Sequence, residues 1–232
     1  SVPIESIKIQ SGIEGVGVDY STHIPNVGWQ SYVADGEESK VNDSPKRIEA
    51  IKIRLTGPNA DNYDVYYRMH CADYGWLGWA KNDEKAGTQG YSCQIEALQI
   101  VVVEKGSKAP GSRENAFKLK PADIVYASFI NGNGWQNEVK NGALSGTTGV
   151  ANALGGIKIN LSNKILSGNV QYASHIQDKG WDDWKQNGDV SGTADGLKRL
   201  EAIKIKLTDE MEKQYDIYYR VHVQEFGWLG WA

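Results

Sequence analysis

The stretch Tyr172-Ala173-Ser174-His175-Ile176-Gln177-Asp178-Lys179-Gly180-Trp181-Asp182-Asp183-Trp184, followed after a break by Leu200-Glu201-Ala202-Ile203-Lys204-Ile205, decides the fold because it recurs. Gly-Trp stands at Gly28-Trp29, Gly75-Trp76, Gly134-Trp135, Gly180-Trp181 and Gly227-Trp228, with tryptophan spacings of 47, 59, 46 and 47 residues. Five residues before each Gly comes His23, His70, Phe129, His175 or His222, and three before that Tyr20, Tyr67, Tyr126, Tyr172 or Tyr219. All four histidines share one slot. About twenty residues after each of the first four Gly-Trp pairs comes a second block, opening at Ile48, Ile95, Leu154 and Leu200. A fixed period of this kind marks a repeat architecture, in which each unit buries its apolar face against its neighbours.

Within a repeat the apolar residues alternate. Ile217, Tyr219, Val221 and Val223 interleave with Tyr218, Arg220, His222 and Gln224, and Ile203, Ile205 and Leu207 interleave with Lys204 and Lys206. That period of two is a strand with one buried face. Asp35-Gly36, Asn141-Gly142 and Asn187-Gly188 supply turns, and Gly87-Thr88, Gly146-Thr147 and Gly192-Thr193 break the chain before the closing strand. The expectation is an all-β protein built from tandem repeats of about 47 residues, each with three to four short antiparallel strands and no helix.

The domain reading places repeats in 1–103 and 118–232, separated by 104–117, a polar, glycine-containing linker or long surface loop. Ile4-Glu5-Ser6-Ile7-Lys8-Ile9 matches the second block, so the sequence opens in the tail of one repeat and closes at Trp231-Ala232 in the first half of another. Two architectures follow: two pseudo-threefold domains of trefoil or prism type, or a closed, propeller-like ring of five units. End-to-end self-association is a third way for the two ends to meet.

Composition narrows function. Among 232 residues, 40% are hydrophobic and 23% charged, with a net charge of −4 and no basic stripe. A nucleic-acid partner is not expected. No apolar run reaches the length of a membrane span and no leader opens the chain, so the expectation is a soluble protein without membrane insertion. Eight Trp and twelve Tyr against three Phe favour rings that carry a polar handle, suited to wet contact surfaces.

The pattern Tyr-x-x-His-x4-Gly-Trp-x-x-Trp, then Gly-Thr, then Leu-Glu-Ala-Ile-x-Ile, resembles the clostridial hydrophobic W (ChW) repeat, and does so over nearly the whole chain outside 104–117. The resemblance implies a secreted or surface-attached bacterial protein, repeats often grouped in threes, and a role in adhesion or in binding carbohydrate or other macromolecules.

For the first tryptophan of each repeat, Trp29, Trp76, Trp135, Trp181 and Trp228, the reading is core filler. In an unbroken strand, residues three apart lie on opposite faces, so the second aromatic should point outward. That slot holds Tyr32, Trp79, Glu138, Trp184 and Trp231. The third repeat has Glu138 there, Phe129 for His and Gly155 for Glu, so three substitutions coincide in one unit. His, outer aromatic and Glu therefore read as one constellation: His23 with Tyr32 and Glu49, His70 with Trp79 and Glu96, His175 with Trp184 and Glu201, and His222 with Trp231 and Glu5. One chemistry for such a cluster is a shallow lectin site, with an aromatic face against a sugar ring and polar groups on its hydroxyls, multiplied by repetition. The alternative is packing, with Glu fixing the His ring and the aromatic as a lid, in a structural or protein-binding array.

No metal-ligand spacing is present, and turn residues such as Asp35, Asp83 and Asp189 lack the acidic density of a calcium loop. No nucleophile motif is found, and one catalytic set is seldom distributed over four copies, so neither enzymatic activity nor a cofactor is expected. Cys71 and Cys93 fall in one repeat. They could form a disulfide, which suits an extracellular compartment, or remain thiols as small hydrophobes.

Overall fold

The computed structural model describes residues 3–39 and 47–232. The chain divides into two compact units, 1–120 and 121–232.

The first unit contains β1 (Ile7–Lys8), β2 (Gly17–Ile24), β3 (Gly28–Trp29), β4 (Glu38–Ser39), β5 (Ala50–Thr56), β6 (Tyr63–Cys71), β7 (Gly75–Trp76), β8 (Ala80–Lys81), β9 (Ala86–Gln89), β10 (Ile95–Glu104) and β11 (Phe117–Leu119). In both of its full repeats the long strand is the centre: β2 pairs antiparallel with β3 and β5, and β6 with β7, β8 and β10. Tyr20 and Tyr67 are fully buried, and each phenol donates to a backbone carbonyl 17 residues later, at Glu37 and Glu84. Repeats are joined by a handover in which the block strand of one receives the turn segment of the next: β1 pairs with β4 and β5 with β9. The three block segments also meet directly, Ile4 donating to the Ile95 carbonyl (3.1 Å) and Ile48 to that of Ile4 (2.9 Å). Ile24, Ile48, Ile51, Ile53, Met69 and Ile95 fill the shared interior.

The second unit repeats the plan with β12 (Asp123–Ile130), β13 (Gly134–Trp135), β14 (Val139–Lys140), β15 (Leu154–Ser162), β16 (Val170–Ile176), β17 (Gly180–Trp181), β18 (Lys185–Gln186), β19 (Ser191–Gly192) and β20 (Leu200–Leu207), then α1 (Asp209–Gln214), β21 (His222–Val223) and β22 (Gly227–Trp228). The β15–β19 pairing is the same handover. Hydroxyl pairs Ser128–Ser145 and Ser174–Ser191, both 2.9 Å, occupy the position of Thr22–Ser39 in the first unit. The helix is a departure from the expected absence of one. Asp209, Glu210 and Glu212 suit its N-terminal turn, Lys213 its last, and Met211 packs with Val170, Tyr172 and Leu207. Six residues are too few to show a 3.6-residue period in the sequence.

The strand expected over 217–224 is assigned only at His222–Val223. Tyr219 and Ala232 exchange backbone bonds (3.1 and 3.0 Å), so the hairpin keeps its shape, but no described block strand flanks it as β20 flanks β16.

The segment after Glu104 is a strap on the first unit. Tyr66 donates to the Ser107 carbonyl, Trp79 N–H to that of Ser112, Gly87 N–H to that of Ala116, and Arg113 pairs with Glu84. β11 then runs parallel to β9. Of the two readings of this polar stretch, linker or long surface loop, the bonds of its backbone carbonyls to the repeat fit a surface loop. Cys71 and Cys93, both buried, are joined as a disulfide with a Cα–Cα distance of 6.1 Å, inside the normal range.

Candidate functional site

Gly in Gly-Trp is required by backbone conformation. Gly28, Gly75, Gly134, Gly180 and Gly227 have φ of 99°, 69°, 81°, 89° and 73°, and a Cβ at any of them would meet nothing within 4 Å. The positive φ closes the hairpin and sets the following indole against the long strand. There it meets His edge-on, with centroids 5.2 Å apart for His23–Trp29, 5.3 Å for His70–Trp76, and 5.4 Å for His175–Trp181 and His222–Trp228. Phe129 meets Trp135 in the same way at 5.6 Å, so His in this slot is first a packing ring.

Two bulges then bring the remaining residues to this face. In the block strand the register slips by one between Ile95 and Ala97, and opposite Phe129/Ile130 and His175/Ile176. The extra residue is Glu96, Gly155 or Glu201. It turns the carboxylate toward the ring: His Nδ1 lies 2.9 Å from Glu49, 3.1 Å from Glu96 and 3.3 Å from Glu201. The first of these pairs is buried and the other two are partly exposed. The predicted His–Glu partners are therefore together in three repeats. Glu5 lies in the first unit and His222, exposed, in the second.

The second bulge corrects the reading of the tryptophans. His175 faces Trp181, but four residues back along β16 the partner strand has advanced by one extra residue, with Gln171 facing Gln186. The same slip separates His23–Trp29 from Tyr20–Val33, His70–Trp76 from Tyr66–Lys81, and Phe129–Trp135 from Val125–Lys140. One added residue reverses the parity of a strand, so both aromatics of a repeat share one outer face. Trp76, Trp181 and Trp228 are 40, 48 and 45% exposed, while Trp29 and Trp135 are half-buried, and none is core filler. Trp184 and Trp231 are exposed, at 42 and 60%, as expected. Trp79 is not. It is 7% exposed, with Ser112 bonded to its backbone and Gly111 against its indole. Tyr32 is half-buried, and its hydroxyl donates to Asp83. Burial, then the Asp83 carboxylate, pushes the phenol up to about 12.

A further group escaped the sequence reading. Each aromatic pair brackets a cation: Lys52 lies 4.8 and 5.1 Å from the Trp29 and Tyr32 centroids, Arg68 4.7 Å from both Trp76 and Trp79, Lys204 4.5 and 4.8 Å from Trp181 and Trp184, and Arg220 4.6 and 4.7 Å from Trp228 and Trp231. In the third repeat Lys158 stands 4.3 Å from Trp135 alone. Such contacts contribute about 0.5–2 kcal/mol each. The cation changes strand but not place. Cross-strand partners are Ser21–Lys52, Arg68–Gln99, Ala127–Lys158 and Ala173–Lys204, one basic residue in every pair. That alternation was the available signal, and it is readable only once the strands are paired.

Among the described residues no group of three or more His, Cys, Asp or Glu is placed to hold a metal ion. Asp35 accepts from Ser11 N–H and Asp83 from Tyr32, so each already has a protein partner.

The site and fold define a tandem β-repeat protein whose modules each display a ring cluster on one sheet face. The family model for clostridial hydrophobic W, ChW, matches residues 23–57, 70–104, 130–163 and 175–209, more than half of the sequence, and the chain belongs to this family. Nothing among curated proteins or solved structures matches it.

Proposed function

We propose that this chain is a non-catalytic, multivalent binding module of a secreted or surface-attached bacterial protein, and that it recognises carbohydrate through the aromatic faces of its repeats. The observation that carries the reading is the pair of exposed indoles on one face of the fourth repeat, Trp181 and Trp184, reproduced in the final half-repeat by Trp228 and Trp231. Exposed flat rings with neighbouring donors suit the apolar face of a sugar, and repetition converts weak single sites into useful avidity. The disulfide supports an oxidising compartment. The expected partner is a glycan or an extracellular macromolecule, with no nucleic acid and no membrane insertion.

Geometry redistributes the candidate sites. Trp79 lies beneath the strap, His70 and Glu96 are paired with each other, and His23, Tyr32 and Glu49 are largely engaged within the unit, which leaves the fourth repeat and the half-repeat as the principal surfaces. On a glycan array, the intact chain should retain a carbohydrate, and Trp184→Ala and Trp231→Ala together should abolish retention without changing the far-ultraviolet spectrum. Retention that survives both substitutions, or no retention of any glycan, would overturn the reading.

A second reading, protein contact, draws on the half-repeat. Tyr218, Phe226 and Trp231 are strongly exposed beside a hairpin that, among the described residues, pairs with no block strand. A strand of the Ile-Glu-Ala-Ile-Lys-Ile type, from an adjoining repeat or a second copy, fits that edge. Concentration-dependent association of the chain, competed by a synthetic peptide of residues 3–10, would favour it.

A further inference from the structure

The face of the fourth repeat is more than aromatic. Lys204 lies between the two indoles and Lys206 Nζ is 4.6 Å from the Trp184 centroid. Among the described residues neither lysine enters an ion pair, and neither does Arg220 between Trp228 and Trp231. Several carboxylates lie near this face, and exposed Glu212 and Asp216 line the same surface groove as Lys206 without pairing with it. Glu201 lies 3.1 Å from Arg199 and 3.3 Å from His175, and Asp182 turns to Lys179 and to Gly192 N–H. Asp183 is exposed between the two tryptophans in sequence, and among the described residues neither it nor the groove carboxylates form an ion pair with either lysine. An ammonium over a ring face keeps its three N–H donors, and π electrons satisfy them poorly compared with an oxyanion.

We propose that the ligand of these sites is an acidic oligosaccharide, with a sugar ring against the Trp181 and Trp184 faces and its carboxylate held by Lys204 and Lys206, and the same pairing on Trp228, Trp231 and Arg220. This rests on the carbohydrate reading above and narrows it to carboxylate-bearing sugars. Gln171 and Gln186, joined across the strands at 3.4 Å, supply amide groups beside Lys206 for ring hydroxyls. The other repeats show what is lost when the elements separate. In the first, Arg54 over Tyr32 is already paired with Asp19 at 3.0 Å. In the second the strap covers Trp79. In the third, Glu138 replaces the second ring, so the site loses an aromatic face and gains the wrong charge for this ligand.

The test uses the full chain against immobilised polygalacturonate, alginate and hyaluronate, their carboxyl-reduced neutral counterparts, and polyglutamate as an anion without sugar rings. At least one uronate polymer should bind at least tenfold more tightly than its reduced form, weaken as salt rises, and outbind polyglutamate. The double substitution Lys204→Gln with Lys206→Gln should weaken that binding at least tenfold while the far-ultraviolet spectrum at the binding temperature remains that of the folded chain. Equal binding of acidic and reduced polymers, lost on Trp184→Ala, would refute the charge assignment and leave the carbohydrate reading intact. Equal binding of polyglutamate would refute the ring contribution, and failure to bind any polymer would refute both.

Discussion

Two glycines of the fourth repeat, both at positive φ, should respond very differently to a methyl group. Gly180 has φ of 89°, and a Cβ there meets no atom within 4 Å. Gly192 has φ of 103°, and its Cβ would fall 2.5 Å from the Gly155 carbonyl oxygen, 2.7 Å from Leu200 Cδ2 and 3.0 Å from Gly156 Cα. Gly180→Ala therefore costs backbone strain alone, about 1–3 kcal/mol. Gly192→Ala adds overpacking against backbone that cannot rotate away, so it should be the costlier by about 1–3 kcal/mol. Both residues lie in the second unit, which removes differences in global context. Urea unfolding of the two variants, followed by tryptophan fluorescence, reads the difference as a shift in midpoint at constant slope. Equal destabilisation would show that strand β19 does not lie against β15 as described, and with it the repeat-to-repeat handover would fall.

Cys71→Ser with Cys93→Ser opens a loop of 22 residues and should lower stability by about 3 kcal/mol, read in denaturant without reductant; no change would mean that the bridge is unimportant in solution. His175→Phe should leave stability within about 0.5 kcal/mol, because Phe129 already holds the equivalent edge-on place against Trp135, and a large loss would assign His175 more than packing. Burial alone would raise the Asp64 carboxyl, but Lys81, Gly106 N–H, Asn82 and Lys105 together hold it well below the usual carboxylate range. Its contribution is then complete above the unfolded value of about 4 and is lost as pH falls further toward the folded value. Asp64→Asn should flatten the acid limb of the stability profile below about pH 4, and an unchanged limb would remove Asp64 from the account.

The repeat period, the all-β class, the recurring tyrosine slot and the glycine before the first tryptophan of each repeat are legible in the sequence because each depends on local chemistry. Tyrosine recurs wherever the strand needs a phenol to reach a carbonyl 17 residues on, and glycine recurs wherever φ must be positive. The pairing of His with Glu was legible too, through the third repeat, where Phe129 and Gly155 replace both together. Which face each tryptophan occupies was not. A period of two predicts opposite faces for Trp181 and Trp184 only along an unbroken strand, and the extra residue that reverses the parity is defined by the partner strand. The same holds for the cation, which moves from Lys204 to Arg68 between repeats and keeps its position only across the β ladder. Trp79 is hidden by a polar strap that meets it through the Ser112 carbonyl and Gly111 rather than through an apolar side chain. Local sequence thus set what each strand is, and non-local pairing alone decided which rings reach water.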